Sequence, residues 1–154
     1  DGGIRFNIIP DKVTMVGTVR TFNEALRDDI HMRIRRTAEN IAEASGATAE
    51  VTIDKPYDVT VNDPVLTTRM LPTLKRVAGA DNVQLRDRLM GAEDFSFFAQ
   101  KAPGLFLFIG GTPAGQDASK MPYNHSPKFS IDESALKLGV RTLLHLTMDY
   151  MGAK

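Results

Sequence analysis

The 154-residue chain contains no cysteine, which rules out disulfides and thiolate metal ligands among these residues. The same absence fits a reducing, cytoplasmic location. It also lacks a charge bias: Lys plus Arg and Asp plus Glu number 19 each. A nucleic-acid or anionic-membrane partner calls for a basic excess, so neither is expected. No apolar run reaches transmembrane length, "LFLFIG" at 105–110 being strand-sized. There is no signal-peptide pattern. Histidine is scarce, at three residues, and the chain opens "DGGIRFNIIP" without an initiator methionine. The natural start is expected to lie upstream.

What is present is the composition of a soluble globular protein, 42% hydrophobic and 25% charged. "IRFNIIP" and "KVTMVGTVRT" read as two strands around Pro10-Asp11, the second alternating with period two. Thr21-Phe22-Asn23-Glu24 has the form of a capping box and opens a helix. Leu26, Ile30, Ile34, Ala38, Ile41 and Ala42 form its apolar stripe, and Gly46 sits where a left-handed cap belongs. "AEVTIDKPY" alternates again, as a third strand. This β-β-α-β order predicts an antiparallel α/β sandwich that lacks its first strand and helix.

A boundary falls at "VNDP", with Asp63 as N-cap and Pro64 at the first helical position. Leu66, Met70, Leu74 and Val77 carry that helix to Gly79. A short extended piece near "NVQLRDRL" follows, then "MGAEDFSFF". "LFLFIGG" suits a strand buried on both faces. Ser130-Ile131-Asp132-Glu133 is a second capping box, opening a last helix with Leu136, Val140, Leu143, Leu144, Met148 and Met151 on one side. The simplest organisation is two unlike halves, 1–62 and 63–154.

Chemistry could sit in few places. His125, in the irregular loop "MPYNHSPKFS", is either incidental surface or a ligand presented by a stiffened loop. A catalytic metal needs three or more protein ligands, and nothing near His125 in sequence supplies them. His31 and His145 read as surface or core-edge residues. Glu93-Asp94 reads first as the acidic start of a helix and second as metal support or a general base. Phe95, Phe97 and Phe98 read as core. Arg20, at a strand end, could grip a carboxylate through two parallel hydrogen bonds. Asn7, an amide in an apolar strand, must find partners if buried, and a ligand could be one.

"GGIRFNIIPDKVTMVGTVRTF", "VNDP", "GAEDFSFF" and "NHSPKF", in this order, resemble the aminoacylase/carboxypeptidase group of metal-dependent hydrolases, metallopeptidase family 20. The nearest subgroup is the hippurate hydrolases and auxin-conjugate amidohydrolases. The resemblance implies that residues 1–62 are the second half of a lid or dimerisation domain, and 63–154 the closing third of an α/β zinc-peptidase-like catalytic domain. It implies His125 as a metal ligand, Asn7 and Arg20 as substrate contacts, and Glu93, Gly110 and Gly111 as pocket or supporting residues. It implies a divalent metal (zinc, manganese, nickel or cobalt), an N-acyl or N-aroyl amino acid or small peptide as substrate, and a homodimer formed through the lid. The general base and remaining ligands would lie upstream, so no catalytic residue is expected in this chain and the isolated piece should be inactive. The alternative is a non-catalytic dimerisation or interaction module.

Overall fold

The computed structural model describes residues 1–152. Four α-helices account for its regular structure: α1 (Glu24–Ala44), α2 (Pro64–Ala78), α3 (Phe95–Ala99) and α4 (Ser134–Gly152), with 3₁₀ turns at Ala80–Asn82 and Ala118–Lys120. The chain divides into two compact units, one of Asp1–Val59 with Met90–Ala92, the other of Thr60–Leu89 with Glu93 onward.

The expected antiparallel sheet plus helix, and the α/β architecture of the second half, are not found: among the described residues there is no strand. Period-two alternation says which side chains could share a face, but a strand exists only when a neighbour supplies the ladder. In the first unit one reciprocal backbone pair forms, Asp1 N to Thr14 O at 2.7 Å and Thr14 N to Asp1 O at 2.8 Å. One such pair is not a ladder. Residues 5–8 instead close a turn, with Ile8 N donating to Arg5 O, and Phe6 and Met15 are 103% and 86% exposed. In "AEVTID" the alternation survives as burial alone: Ala49, Val51 and Ile53 are half-buried and their neighbours exposed.

Helix α1 forms where its periodicity says, but its cap is displaced by two residues. Asn23, not Thr21, accepts from Leu26 N (2.9 Å), and Thr21 Oγ1 donates forward to Asn23 O. Its C-terminus is a Schellman motif: Ala47 N reaches Ala42 O, Gly46 N reaches Glu43 O, and Gly46 has φ +70°. The expected apolar stripe does not make a core, since no residue of α1 is buried. Side chains tie the helix to the following segment. Arg27 pairs with the Tyr57 carbonyl and the Asp58 carboxylate (both 2.9 Å), and Lys55 pairs with Asp28.

In the second unit α2 starts as expected. Asp63 Oδ1 accepts from Leu66 N at 2.7 Å, Pro64 opens the first turn, and Gly79 ends the helix at φ +90°. Met70, Leu74 and Val77 are buried to 4–8% exposure, and α2 packs against α4. The face that α4 presents is not the expected one. Leu136, Val140, Leu143, Leu144, Met148 and Met151 are 59–74% exposed, whereas Thr142 is buried and Leu138, His145, Leu146 and Asp149 are half-buried. A polar seam explains the choice of face. Thr73 Oγ1 and Arg76 Nη2 both donate to Asp149 Oδ2, and Arg69 donates to the Tyr150 carbonyl (2.9 Å) with its guanidinium 4.5 Å above the Tyr150 ring. The start of α4 is set by Asp132, whose Oδ1 accepts from Ser134 N, rather than by Ser130.

Residues 105–110 are not a strand buried on both faces. Leu105, Phe106 and Leu107 are half-buried, while Phe108 and Ile109 are exposed. Phe97 and Phe98 are likewise exposed rather than core, and Phe95 is half-buried. The rings still associate, with Phe95–Phe106 and Phe106–Phe108 centroids 5.4 and 5.3 Å apart.

Candidate functional site

The loop carrying His125 is built from turns in series. Ser126 N donates to Tyr123 O at 2.8 Å, placing Asn124 and His125 at the two central positions of a β-turn. Phe129 N donates to Ser126 O at 3.0 Å, closing a second turn with Pro127 at its first central position, where its fixed φ is favoured. Ser126 Oγ accepts from Lys128 N (3.2 Å), which tightens the second turn. Earlier in the loop, Asp117 takes Ser119 Oγ and Ser119 N. Those two bonds from Ser119 hold the Asp117 carboxyl below its ordinary range. His125 is exposed on this backbone-bonded support.

The remaining expected residues fall as follows. Glu93 is half-buried and lies just before α3; its carbonyl accepts from Ser96 N and the Asp94 carbonyl from Phe97 N. Asp94 occupies the N-cap position with no side-chain capping bond. Gly111 lies against Ile131: a Cβ there would meet Ile131 Cγ2 at 3.1 Å, and Gly111 O accepts from Asp132 N. Gly110 has open space around its Cα hydrogen. In the first unit Asn7 is exposed, within the 5–8 turn, so it carries no demand for a buried partner. Arg20 is exposed and its Nη1 donates to the Met90 carbonyl. Within the second unit a cleft of about 400 Å³ is lined by Val61–Pro64 and Ala99–Gly104, and none of the expected site residues lines it.

Among the described residues no three His, Cys, Asp or Glu side chains group so as to hold a metal ion. The residues of this chain do not by themselves fit a divalent metal. His125 offers a single imidazole.

Two polar clusters were not foreseen. One is the Thr73–Arg76–His145–Asp149 seam, in which Arg76 Nη1 lies 3.4 Å from His145 Nδ1. Its sequence signal was His145, read there as a surface or core-edge residue. The other is Asn62 of "VNDP", a stretch whose sequence signal lay in its neighbours Asp63 and Pro64. Its side-chain amide binds the backbone of Phe106 at both ends. Among the described residues no helix is long and apolar enough to cross a membrane.

Comparison with known proteins agrees with the motif reading. Residues 2–149 match peptidase family M20/M25/M40, and the chain belongs to that family. Its members are generally metal-dependent. The chain is 40% identical over 138 residues to "Thermostable carboxypeptidase 2" of Saccharolobus solfataricus, covering 89% of this chain and 34% of that protein. It is 35% identical over 152 residues to "IAA-amino acid hydrolase ILR1-like 4" of Arabidopsis thaliana (96% and 34% covered). It is 33% identical over 144 residues to "N-acetyldiaminopimelate deacetylase" of Leuconostoc citreum (93% and 35% covered). The chain thus spans about a third of the length of these relatives. No solved structure matches it.

Proposed function

We propose that this chain is the C-terminal part of a metal-dependent amidohydrolase that cleaves the amide bond of N-acyl or N-aroyl amino acids. The observation that carries the reading is the family match over residues 2–149. The names of the relatives support the substrate class: a carboxypeptidase, a deacetylase and a hydrolase of an amino acid conjugate each act where an amide meets an amino acid or its derivative. In this reading residues 1–62 belong to the lid and 63–154 to the catalytic domain. His125 is one ligand of a larger set completed outside this chain, and its central position in one backbone-bonded turn, directly followed by a second, suits a ligand held in a fixed position. Arg20 grips the free carboxylate of the substrate, since a guanidinium matches a carboxylate in a planar fork. Asn7 contacts the same substrate, and Glu93, Gly110 and Gly111 border the pocket. The general base is not in this chain, so the 154 residues alone do not turn over substrate.

The reading is tested by sequencing the reading frame upstream of Asp1. Histidine and acidic residues at metal-ligand spacing are expected there. A stop codon followed by a start immediately before Asp1 would refute the enzyme reading.

A second reading is favoured by one observation. Ile4, Phe6, Ile9, Met15 and Val16 lie fully or nearly fully exposed, and Met32 and Ile41 of α1 are 66% and 64% exposed. Exposed apolar side chains in such number suit association, so the first unit serves as a homodimerisation surface, alone or within the enzyme. A monomer whose sedimentation does not change with concentration would exclude it.

A further inference from the structure

Among the described residues the Arg20 guanidinium donates from Nη1 to the Met90 carbonyl, seventy residues away in sequence. Met90 belongs to a three-residue segment, Met90–Ala92, that clusters with the first unit and has no regular structure. A guanidinium has five N–H donors in a rigid plane. With Nη1 held by a carbonyl, the edge formed by Nε and Nη2 keeps the two parallel donors that a carboxylate takes. Gly91, next in the chain, has open space where a Cβ would stand.

We infer that the Met90 carbonyl is a positioning group for Arg20. It fixes the guanidinium plane so that the Nε–Nη2 edge faces the carboxylate of an N-acyl amino acid. The inference rests on the proposed role of Arg20 and adds the group that orients it. An exposed arginine otherwise samples many rotamers, and holding one nitrogen removes part of the entropy that a ligand would have to overcome.

The experiment uses the whole chain with methionine labelled by carbonyl ¹³C and glycine by ¹⁵N. Methionine precedes glycine at Met90–Gly91 and Met151–Gly152 alone, so a carbonyl–amide correlation spectrum holds two signals. Arg20→Gln should move the Met90 carbonyl and leave Met151 in place. N-benzoylglycine should bind at least about tenfold better than N-benzoylglycinamide, as a charge-assisted pair requires, and should shift the Arg20 Nε signal while the Met90 carbonyl stays put. If N-benzoylglycine drives the Met90 carbonyl to its Arg20→Gln position, arginine leaves the carbonyl for the ligand and positioning is refuted, although the carboxylate role stands. If Arg20→Gln leaves Met90 unmoved, the contact is absent and the inference falls alone. If acid and amide bind equally, or neither binds, the carboxylate role of Arg20 fails and the inference with it.

Discussion

The side-chain amide of Asn62 binds both backbone groups of Phe106: Nδ2 donates to its carbonyl at 2.9 Å, and Oδ1 accepts from its N–H at 2.7 Å. One residue on, Asp63 N donates to Gly104 O at 2.8 Å. Asn62 therefore does for Phe106 what a neighbouring strand does in a ladder, with a side chain in place of a peptide. The three bonds fasten the entry to α2 onto residues 104–106.

Asn62→Ala removes both bonds to Phe106. The net loss is about 1 kcal/mol, the low end for two hydrogen bonds because both groups reach water. Asn62→Asp should do no better, since it keeps the acceptor but sets a carboxylate oxygen against the Phe106 carbonyl. Amide exchange at Phe106 is the measurement: it should speed up in both variants while exchange at Leu74 in α2 stays slow. Unchanged exchange at Phe106 would mean that the clamp does not hold that segment.

Gly46 stands at φ +70° with nothing near the position of a Cβ, so replacing it tests backbone conformation and not packing. Gly46→Ala should cost roughly 1–2 kcal/mol from the left-handed conformation alone. Gly139 is the opposite case. It lies inside α4 with negative φ, and its added Cβ would meet Ile109 at 4.0 Å, an ordinary contact. Gly139→Ala should therefore stabilise by about 0.5–1 kcal/mol. Thermal unfolding followed by circular dichroism should show the two midpoints moving in opposite directions.

These helices were legible in the sequence because their signals are local. Asp63-Pro64, Gly79 and the Gly46 cap are decided within a few residues, and each stands where the pattern placed it. The capping boxes misled by two residues, because Asn23 and Asp132 lie inside them and cap the amides of the first turn themselves. The strands were not legible in the same sense. "KVTMVGTV" alternates correctly, yet a ladder is a property of two segments, and among the described residues Thr14 finds one partner, Asp1. The face of α4 was misread because hydrophobicity alone nominated Leu136 to Met151, whereas ion pairing to Arg76 fixed Asp149 and Thr142 toward the inside. Of the candidate site, the irregular loop around His125 was visible in Asn124 and Ser126-Pro127. The Met90 carbonyl under Arg20 could not be, since every residue offers a carbonyl.

Asp149 gives the α2–α4 seam a pH dependence of known sign. The hydrogen bond from Thr73, followed by that from Arg76, lowers its carboxyl below the ordinary value. A lowered folded-state value means that the unfolded chain binds the proton more readily. The stabilisation is complete above the ordinary carboxylate range, near ~3.9, and is lost as pH falls through the lowered value. Asp149→Asn should weaken the seam at neutral pH and flatten the acid limb of unfolding. An acid limb identical in both proteins would show that Asp149 carries none of it.

His125→Ala should leave stability within about 0.5 kcal/mol of the parent, because the imidazole is exposed and the turn bonds around it are made by other groups. Pro127→Gly should loosen the loop by freeing the first central position of the second turn. Titration with Zn²⁺, followed by the ring protons of the three histidines, separates the roles. The His125 signals should respond first, and weakly, since one imidazole is a poor site. A response confined to His31 or His145 would remove His125 from the ligand set.

Two threonines buried in the second unit should answer the same substitution in opposite ways. Thr73 is 5% exposed and its hydroxyl donates to Asp149; Thr142 is 4% exposed and its hydroxyl finds no partner among the described residues. Valine keeps the shape and removes the hydroxyl. Thr142→Val deletes an unpaired buried polar group and should be neutral or stabilising, by up to about 1 kcal/mol. Thr73→Val strips a charge-assisted bond from Asp149 and should destabilise by roughly 1–2 kcal/mol. Combined with Asp149→Asn, the Thr73 change should lose much of its effect, because the charge it serves is gone. Urea unfolding of the two single variants and the double variant measures all three. Equal losses at Thr73 and Thr142 would mean that the seam is held by shape alone, and that the hydrogen bond to Asp149 adds nothing to the packing of α2 against α4.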